Sequence, residues 1–190
     1  LRNFKFSSQI KHEDYFGMKA VHIGARWAFW EPGHYVYTLP AWQTLLKDYK
    51  YFFMESGSCI AAYPLVKLNK KFVMWVATAY QDDKSERIKD LSWPRFLIDY
   101  LASFKMKRIE KEILKKADFI WALSKSTKVR LEQILGEKRD NMIICNFPVT
   151  PKKVEEPKKE KIVIAVGRFN DPRKNIGMLL RVFEKLYKKM

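Results

Sequence analysis

Short apolar runs alternate with helical spacing through the middle of the chain. Four runs have the length of strands: residues 50–55, 72–78, 119–123 and 141–145. Three stretches of helical spacing lie between them: residues 59–68, 94–116 and 126–135. Strands that alternate with helices predict a parallel sheet with helices on both sides, as in an α/β domain. The run at 72–78, FVMWVAT, is apolar throughout its centre and predicts a strand buried on both faces.

Proline and glycine set the limits of the predicted helices. Pro94 suits the first turn of the helix at 94–116, and Gly136 is a natural stop for the helix at 126–135. The polar residues at 81–86, QDDKSE, predict a loop between a strand and the long helix.

The composition changes after residue 149. Residues 150–160, rich in proline and charge, predict a linker. The run KIVIAV at 161–166 predicts a buried strand, and residues 174–188 predict an amphipathic helix. We therefore divide the chain into a first domain at 1–149, a linker at 150–160 and the opening of a second domain at 161–190. Because one strand and one helix cannot bury an apolar face alone, we expect the second domain to be truncated.

The charge limits the classes of partner. Against 21 Asp and Glu the chain carries 37 Lys and Arg, a formal net charge of +16. Nucleic acid, an anionic membrane and an anionic small molecule would all suit this excess. The basic residues are dispersed and show no RNA-binding signature or zinc-finger spacing, which disfavours nucleic acid. The two cysteines form no metal-binding motif, and we expect neither metal nor cofactor. They favour a reduced, cytoplasmic setting, and no apolar run is long enough to span a bilayer.

The segment GRFNDPRKN at 167–175 carries the sharpest candidate chemistry. It lies between the predicted strand and helix, with Asp171 as the expected N-cap and Pro172 as the first helical residue. Lys174 would then lie in the first turn, near Arg168. Helix N-termini attract anions, and an arginine with a lysine there would hold a diphosphate. The alternative is an ordinary basic loop that faces water.

The order of several short motifs resembles a known family. Ala117-Asp118-x-Ile120, Ser124, Asn146-x-Pro148 and Val166-Gly167-Arg168 with Lys174-Asn175 follow one another as in the family 4 retaining glycosyltransferases, also called glycosyl transferases group 1. The resemblance covers residues 109–190 well, residues 45–81 loosely, and nothing before Leu45. It implies the two-domain GT-B fold, with a Rossmann-like first domain incomplete at its start.

The resemblance also implies an activity and a site. Such enzymes move a sugar from a nucleoside diphosphate to a glycan, lipid or other acceptor with retention of configuration. Gly167, Arg168, Lys174 and Asn175 would bind the diphosphate of the nucleotide sugar, which is the donor substrate and not a cofactor. Relatives carry a Glu-x7-Glu segment that would lie beyond Met190, so we expect this stretch alone to be inactive.

Further candidates follow the predicted strands of the first domain. Thr78, Asp82, Asp83 and Ser124 fall where strands end, the edge at which parallel sheets bind ligands. The acidic pair also suits a solvated loop, and Ser124 also suits a helix cap. Relatives often have a histidine where Thr78 lies; here His12, His22 and His34 all fall elsewhere.

Four other interpretations remain open. The basic helix at 105–116 suits a peripheral contact with the inner face of an anionic membrane. It also suits a domain helix with one solvent-exposed side. The chain as a whole also suits a non-catalytic scaffold or a sugar-nucleotide epimerase on the same fold. A basic nucleic-acid-binding protein is the alternative from a different class.

Overall fold

A computed structural model describes residues 10–25, 31–36, 38–88, 92–149, 162, 164–167, 169 and 174–188. The chain divides into two compact units, Leu1–Pro148 and Val149–Met190. Each unit is described by itself. The predicted linker at 150–160 lies outside the described residues.

The first unit begins with a hairpin that the sequence pattern did not reveal. Strands β1 (Ile10–Tyr15) and β2 (Met18–Ile23) pair antiparallel, with Tyr15 opposite Met18. The turn between them places Phe16 and Gly17 at φ 50° and 78°, the positive values of a two-residue hairpin turn. Phenylalanine is an unusual residue at such a position, and this explains why no turn was predicted.

A four-stranded parallel sheet forms the centre of the first unit. Its strands are β3 (Phe53–Ser56), β4 (Val73–Val76), β5 (Phe119–Ala122) and β6 (Met142–Ile144), paired in that order. All four predicted strands are confirmed, although each is shorter than its apolar run. The unit is α/β and compatible with a Rossmann-like domain.

Helices alternate with the strands along the chain. They are α1 (Glu31–Val36), α2 (Leu39–Leu46), a 3-10 turn (Cys59–Ala62) that leads into α3 (Tyr63–Lys67), α4 (Tyr80–Ile88), α5 (Trp93–Lys116) and α6 (Lys125–Leu135). The core joins the inward side chains of the sheet to those of α3, α5 and α6; its fully buried members include Ile60, Phe72, Met74, Ile113 and Leu131.

The sheet has one deeply buried face. Met54, Met74, Ile120 and Met142 point into the core, whereas Phe53 and Phe119 on the other face are 54% and 51% exposed. The prediction of a sheet buried on both faces is therefore wrong for the described part of the chain. The reason is that the core described above packs against the methionine-rich face alone.

The predicted loop at 81–86 is also wrong, because these residues belong to α4. Asp82 and Asp83 occupy the first turn, where carboxylates favour the positive end of the helix. Polarity suggested a loop, but the same residues suit a helix whose N-terminus is held by the rest of the fold.

The second unit contains one described helix, α7 (Ile176–Tyr187). The predicted helix is thus confirmed, but its N-cap is Asn175 and not Asp171, so Lys174 precedes the helix. Ile162 and Ile164–Val166 belong to no strand, and Ile164 is 76% exposed. The strand predicted at 161–166 is therefore not seen in the residues described, since a strand requires a neighbour with which to pair.

Candidate functional site

The carboxyl end of the parallel sheet brings two of the candidate residues to one edge. Thr78 follows β4 and Ser124 follows β5, and these strands pair with Val76 opposite Ala122. The backbone N–H of Thr78 donates to the carbonyl of Gly57 at 2.9 Å, which fixes the chain as it leaves β4. Both side chains are half-buried. This is the edge at which open α/β sheets bind ligands.

Ser124 is held by a helix-capping network. Its Oγ accepts a hydrogen bond from the backbone N–H of Thr127 at 3.1 Å and lies 2.9 Å from Thr127 Oγ1. The Thr127 hydroxyl in turn donates to the carbonyl of Ala77 at 2.8 Å. The network therefore ties the N-terminus of α6 to the end of β4, and the capping interpretation of Ser124 is confirmed.

Asp82 forms an ion pair at the same edge. Nε of Arg130 lies 3.0 and 2.9 Å from the two carboxylate oxygens of Asp82. This hydrogen bond is the main reason that the pKa of the Arg130 guanidinium is raised, although burial acts against it. Asp83 is half-buried on the same turn, and its backbone N–H donates to the carbonyl of Ala79. The pair Asp82–Arg130 joins α4 to α6 and neutralises one carboxylate.

Sequence reasoning missed Glu110, which is fully buried beneath this edge. One carboxylate oxygen accepts from the backbone N–H of Tyr80 at 2.7 Å, and the other accepts from Nε2 of Gln81 at 3.0 Å. Glu110 therefore caps the first turn of α4 from another helix. A signal was present, since Glu110 lies among Met106, Ile109 and Ile113 on the apolar face of α5.

Burial governs the protonation of Glu110 and of its neighbour Cys59. Loss of water raises the pKa of the Glu110 carboxyl, and its three hydrogen-bond donors, Tyr80, Gln81 and Cys59, partly offset that rise. The Cys59 thiol lies 3.7 Å from the carboxylate, and burial followed by the charge of Glu110 raises its pKa well above the ordinary range. Cys59 is therefore a thiol and a poor nucleophile.

A shallow groove of about 400 Å³ lies beside Asp82 and Arg130. Phe96 and Tyr100 form one wall, with their rings 6.2 Å apart and nearly parallel. Lys107 also lines the groove. Aromatic faces with flanking charges suit a ring-shaped polar ligand.

The second unit holds the predicted diphosphate site. Gly167 has φ 155°, and the Lys174 side chain folds over it, with Cε 3.8 Å from where a Cβ would be. Asn175 adopts φ 45° and begins α7. Lys174 is exposed, so its ammonium is open to a ligand. Arg168, Asp171 and Arg173 lie outside the described residues.

Among the residues that the structure describes, neither a histidine nor a metal cluster accompanies these candidates. His12 and His22 belong to the hairpin, where His22 Nε2 lies 3.2 Å from Glu13, and His34 belongs to α1. In the described part of the chain, no group of three His, Cys, Asp or Glu side chains could hold a metal ion.

Comparison of the chain with protein-family models, with curated proteins and with solved structures gave no match. A function is therefore inferred from the residues and from their geometry.

Proposed function

We propose that this chain is part of a retaining glycosyltransferase of GT-B type, in which Arg168 and Lys174 bind the diphosphate of a nucleotide sugar. The observation that carries the proposal is the fold of Lys174 over Gly167. These two residues are seven positions apart in the sequence, yet the lysine side chain lies against the glycine. Arg168 follows Gly167 directly in the sequence and would supply the second cation of the clamp.

A cationic clamp of this kind suits a reaction that expels a diphosphate. Negative charge builds on the phosphate oxygens as the bond to the sugar breaks, and fixed cations stabilise it more in the transition state than in the bound substrate. Arginine donates two parallel hydrogen bonds to a phosphate, and lysine adds a mobile positive charge. Gly167 has no side chain and so leaves room for the lysine stem, and Asn175 is the N-cap of α7.

The first unit would supply the acceptor side of the reaction. Its candidates are Thr78 and Ser124 at the sheet edge, with the neighbouring aromatic groove. Asp82 is engaged by Arg130, so we assign Asp82 to the positioning of α4 and α6 and not to proton transfer.

The clamp is tested by substitution in the full-length protein. We expect Arg168→Ala and Lys174→Ala each to weaken binding of a nucleoside diphosphate by about 10- to 150-fold, the range for loss of one charged hydrogen bond. Arg168→Lys should restore only part of the affinity, because an ammonium cannot form the two-donor fork. Titration calorimetry measures these affinities, and a melting curve checks that each variant is folded.

Arg173→Ala is the matched control, since it removes an equal charge from the same segment. An equal loss of affinity for Arg173→Ala and Arg168→Ala would mean a diffuse basic patch and would count against the clamp. Incubation with a labelled nucleotide sugar distinguishes a glycosyltransferase from a sugar-nucleotide epimerase. Release of free nucleoside diphosphate supports transfer, whereas a new sugar isomer still bound to the nucleotide indicates an epimerase.

A further inference from the structure

The outward side of α5 carries an unusual order of side chains. At 3.6 residues per turn, six residues fall within about 60° of one another on the side away from the core. These residues, the α5 outer stripe, are Trp93, Leu97, Phe104, Arg108, Lys111 and Lys115. The opposite side is buried and includes Met106, Ile109 and Ile113. The outer stripe is thus apolar over its first half and basic over its second.

The apolar half of the stripe is open to solvent. Trp93 is 75% exposed and Phe104 is 78% exposed, and Leu97 between them is 42% exposed. A large aromatic side chain left in water loses the free energy that burial would give it, and contiguous exposed apolar residues are typical of a binding surface. This half of the stripe extends for about 17 Å along the helix axis.

The basic half has no acidic partner on its own helix. Arg108, Lys111 and Lys115 are exposed and form no ion pair with any residue that the structure describes. The three acids of α5 are occupied elsewhere: Asp99 pairs with Lys84 at 3.1 Å, Glu110 caps α4, and Glu112 pairs with Lys67 at 3.2 Å. The stripe therefore presents net positive charge beside an apolar surface.

We propose that the α5 outer stripe binds the surface of an anionic lipid bilayer, with Trp93 and Phe104 in the interface and the basic half against the phosphates. Charge complementarity selects this partner. A second copy of the chain carries the same +16 and would be repelled, and a nucleic acid would leave the apolar half in water. Aromatic rings suit the boundary between headgroups and acyl chains, and lysine and arginine suit anionic headgroups.

The contact is peripheral. Within the described residues, no helix combines the length and the apolarity needed to cross a bilayer. The apolar half of the stripe is also shorter than the roughly 20 residues that a crossing requires, and the rest of α5 is fixed in the core of the first unit. The helix would enter the interface by its N-terminal end, at an angle. This inference is independent of the proposed glycosyltransferase activity.

Vesicle flotation with the full-length protein tests the proposal. We expect binding to phosphatidylcholine vesicles that contain about 30% phosphatidylglycerol, and much weaker binding to phosphatidylcholine alone. The triple variant Arg108→Gln, Lys111→Gln, Lys115→Gln should bind the anionic vesicles about 100-fold more weakly, since each basic residue near the surface contributes about fivefold. High salt should have a similar effect, because it screens exposed charges.

Two further variants make the test specific. Lys50→Gln, Lys125→Gln and Lys138→Gln together remove the same charge from exposed positions elsewhere, and we expect a loss below about tenfold. Trp93→Ser with Phe104→Ser leaves the charge intact and should weaken binding to both kinds of vesicle, in high salt as well. All the substituted side chains are exposed, so the variants should melt like the parent protein.

Three outcomes would overturn the proposal. An equal loss for the two lysine-rich triple variants would mean that net charge alone attracts the vesicles. Unchanged binding for the Trp93 and Phe104 variant, together with salt-sensitive binding of a random oligonucleotide to the stripe, would indicate a nucleic-acid surface. A change from dimer to monomer in sedimentation velocity for that same variant would indicate that a second copy covers the stripe.

Discussion

Glu110 shows how one buried carboxylate can organise a parallel sheet's edge. It is fully buried, yet each of its oxygens accepts a hydrogen bond from α4, one from the Tyr80 backbone and one from the Gln81 side chain. The donors compensate part of the cost of removing a carboxylate from water, and the raised pKa shows that the compensation is incomplete. The Glu110 carboxyl therefore stabilises α4, but burying its ionised form costs free energy, so its net contribution depends on pH.

We expect that pH dependence to disappear in Glu110→Gln. Because the folded pKa is higher than the unfolded one, the folded state binds this proton more tightly. The stability contributed by Glu110 is thus fully present below the unfolded pKa and is lost as the pH rises through the folded pKa. Glutamine still accepts from the Tyr80 N–H but has no charge to bury. Urea unfolding across this pH range should show a smaller fall in the free energy of unfolding for the variant.

Two other substitutions frame this result. Glu110→Ala leaves the Tyr80 N–H without an acceptor and should cost about 1–3 kcal/mol at neutral pH. Glu112→Gln, on the same helix but half-exposed, should change stability by less than about 1 kcal/mol, as for other surface ion pairs. If Glu110→Gln were as damaging as Glu110→Ala at neutral pH, the charge itself would be required and the explanation from burial would be wrong.

The sequence predicted the candidate residues of the site better than their roles. Thr78 and Ser124 could be placed at the sheet edge, because strand ends can be inferred from the apolar runs. The pairing of Asp82 with Arg130 could not be inferred, since 48 positions separate them and any of many basic residues could have served. Glu110 is not among the predicted site residues, because the prediction for the long helix depends on its basic residues and not on an acid within its apolar side.

At the scale of elements, α6 is the helix whose limits the chain encodes most locally. Ser124 caps its N-terminus, and Gly136 ends it with φ 82°, where its N–H donates to the carbonyl of Glu132 at 2.8 Å. Both signals lie within the segment itself, which explains why this helix was predicted to within one residue.

The Gly136 stop gives an element-scale prediction. Gly136→Ala should lower the free energy of unfolding by about 1–2 kcal/mol, because a Cβ is strained at this backbone angle. The cause would be the angle and not a clash, since a Cβ at Gly136 would meet no atom within 4 Å. Gly136→Asn should cost less, since asparagine tolerates the left-handed region. Urea unfolding measures both variants. Equal losses of unfolding free energy would contradict the explanation from the backbone angle.

Elements without a clear local signal in the sequence were predicted less well. The polar sequence of α4 predicts a loop, because the acceptor of its first N–H, Glu110, lies 30 residues away in the sequence. The hairpin was missed because its turn residues are Phe16 and Gly17 and most of its side chains are exposed. The strand expected at 161–166 has no described neighbour with which to pair. For α4 the deciding interaction lies outside the segment, whereas the hairpin depends on a turn residue that is unusual at its position.

For the whole molecule, the described hydrophobic core is unevenly placed. All residues of the hydrophobic core belong to the first unit, whereas α7 has no buried residue. The composition predicts a substantial core and is compatible with a partner of negative charge, but composition alone cannot assign that partner to a surface. The proposed contact of the α5 outer stripe with anionic lipid would assign a surface to part of this charge.

The pairing of β4 with β5 has a consequence for the order in which the first unit folds. Phe72 and Asp118 exchange hydrogen bonds across this pair although 46 residues separate them, so their meeting closes the longest loop in the sheet. Long loops cost more entropy to close, and we expect the local unit β5–α6–β6 to form first. Leu131→Ala should then mainly slow folding, and Asp118→Ala should mainly speed unfolding, in stopped-flow kinetics. If Asp118→Ala mainly slowed folding and Leu131→Ala mainly sped unfolding, the folding nucleus would lie at the β4–β5 junction. The most distant contact would then be the earliest to form.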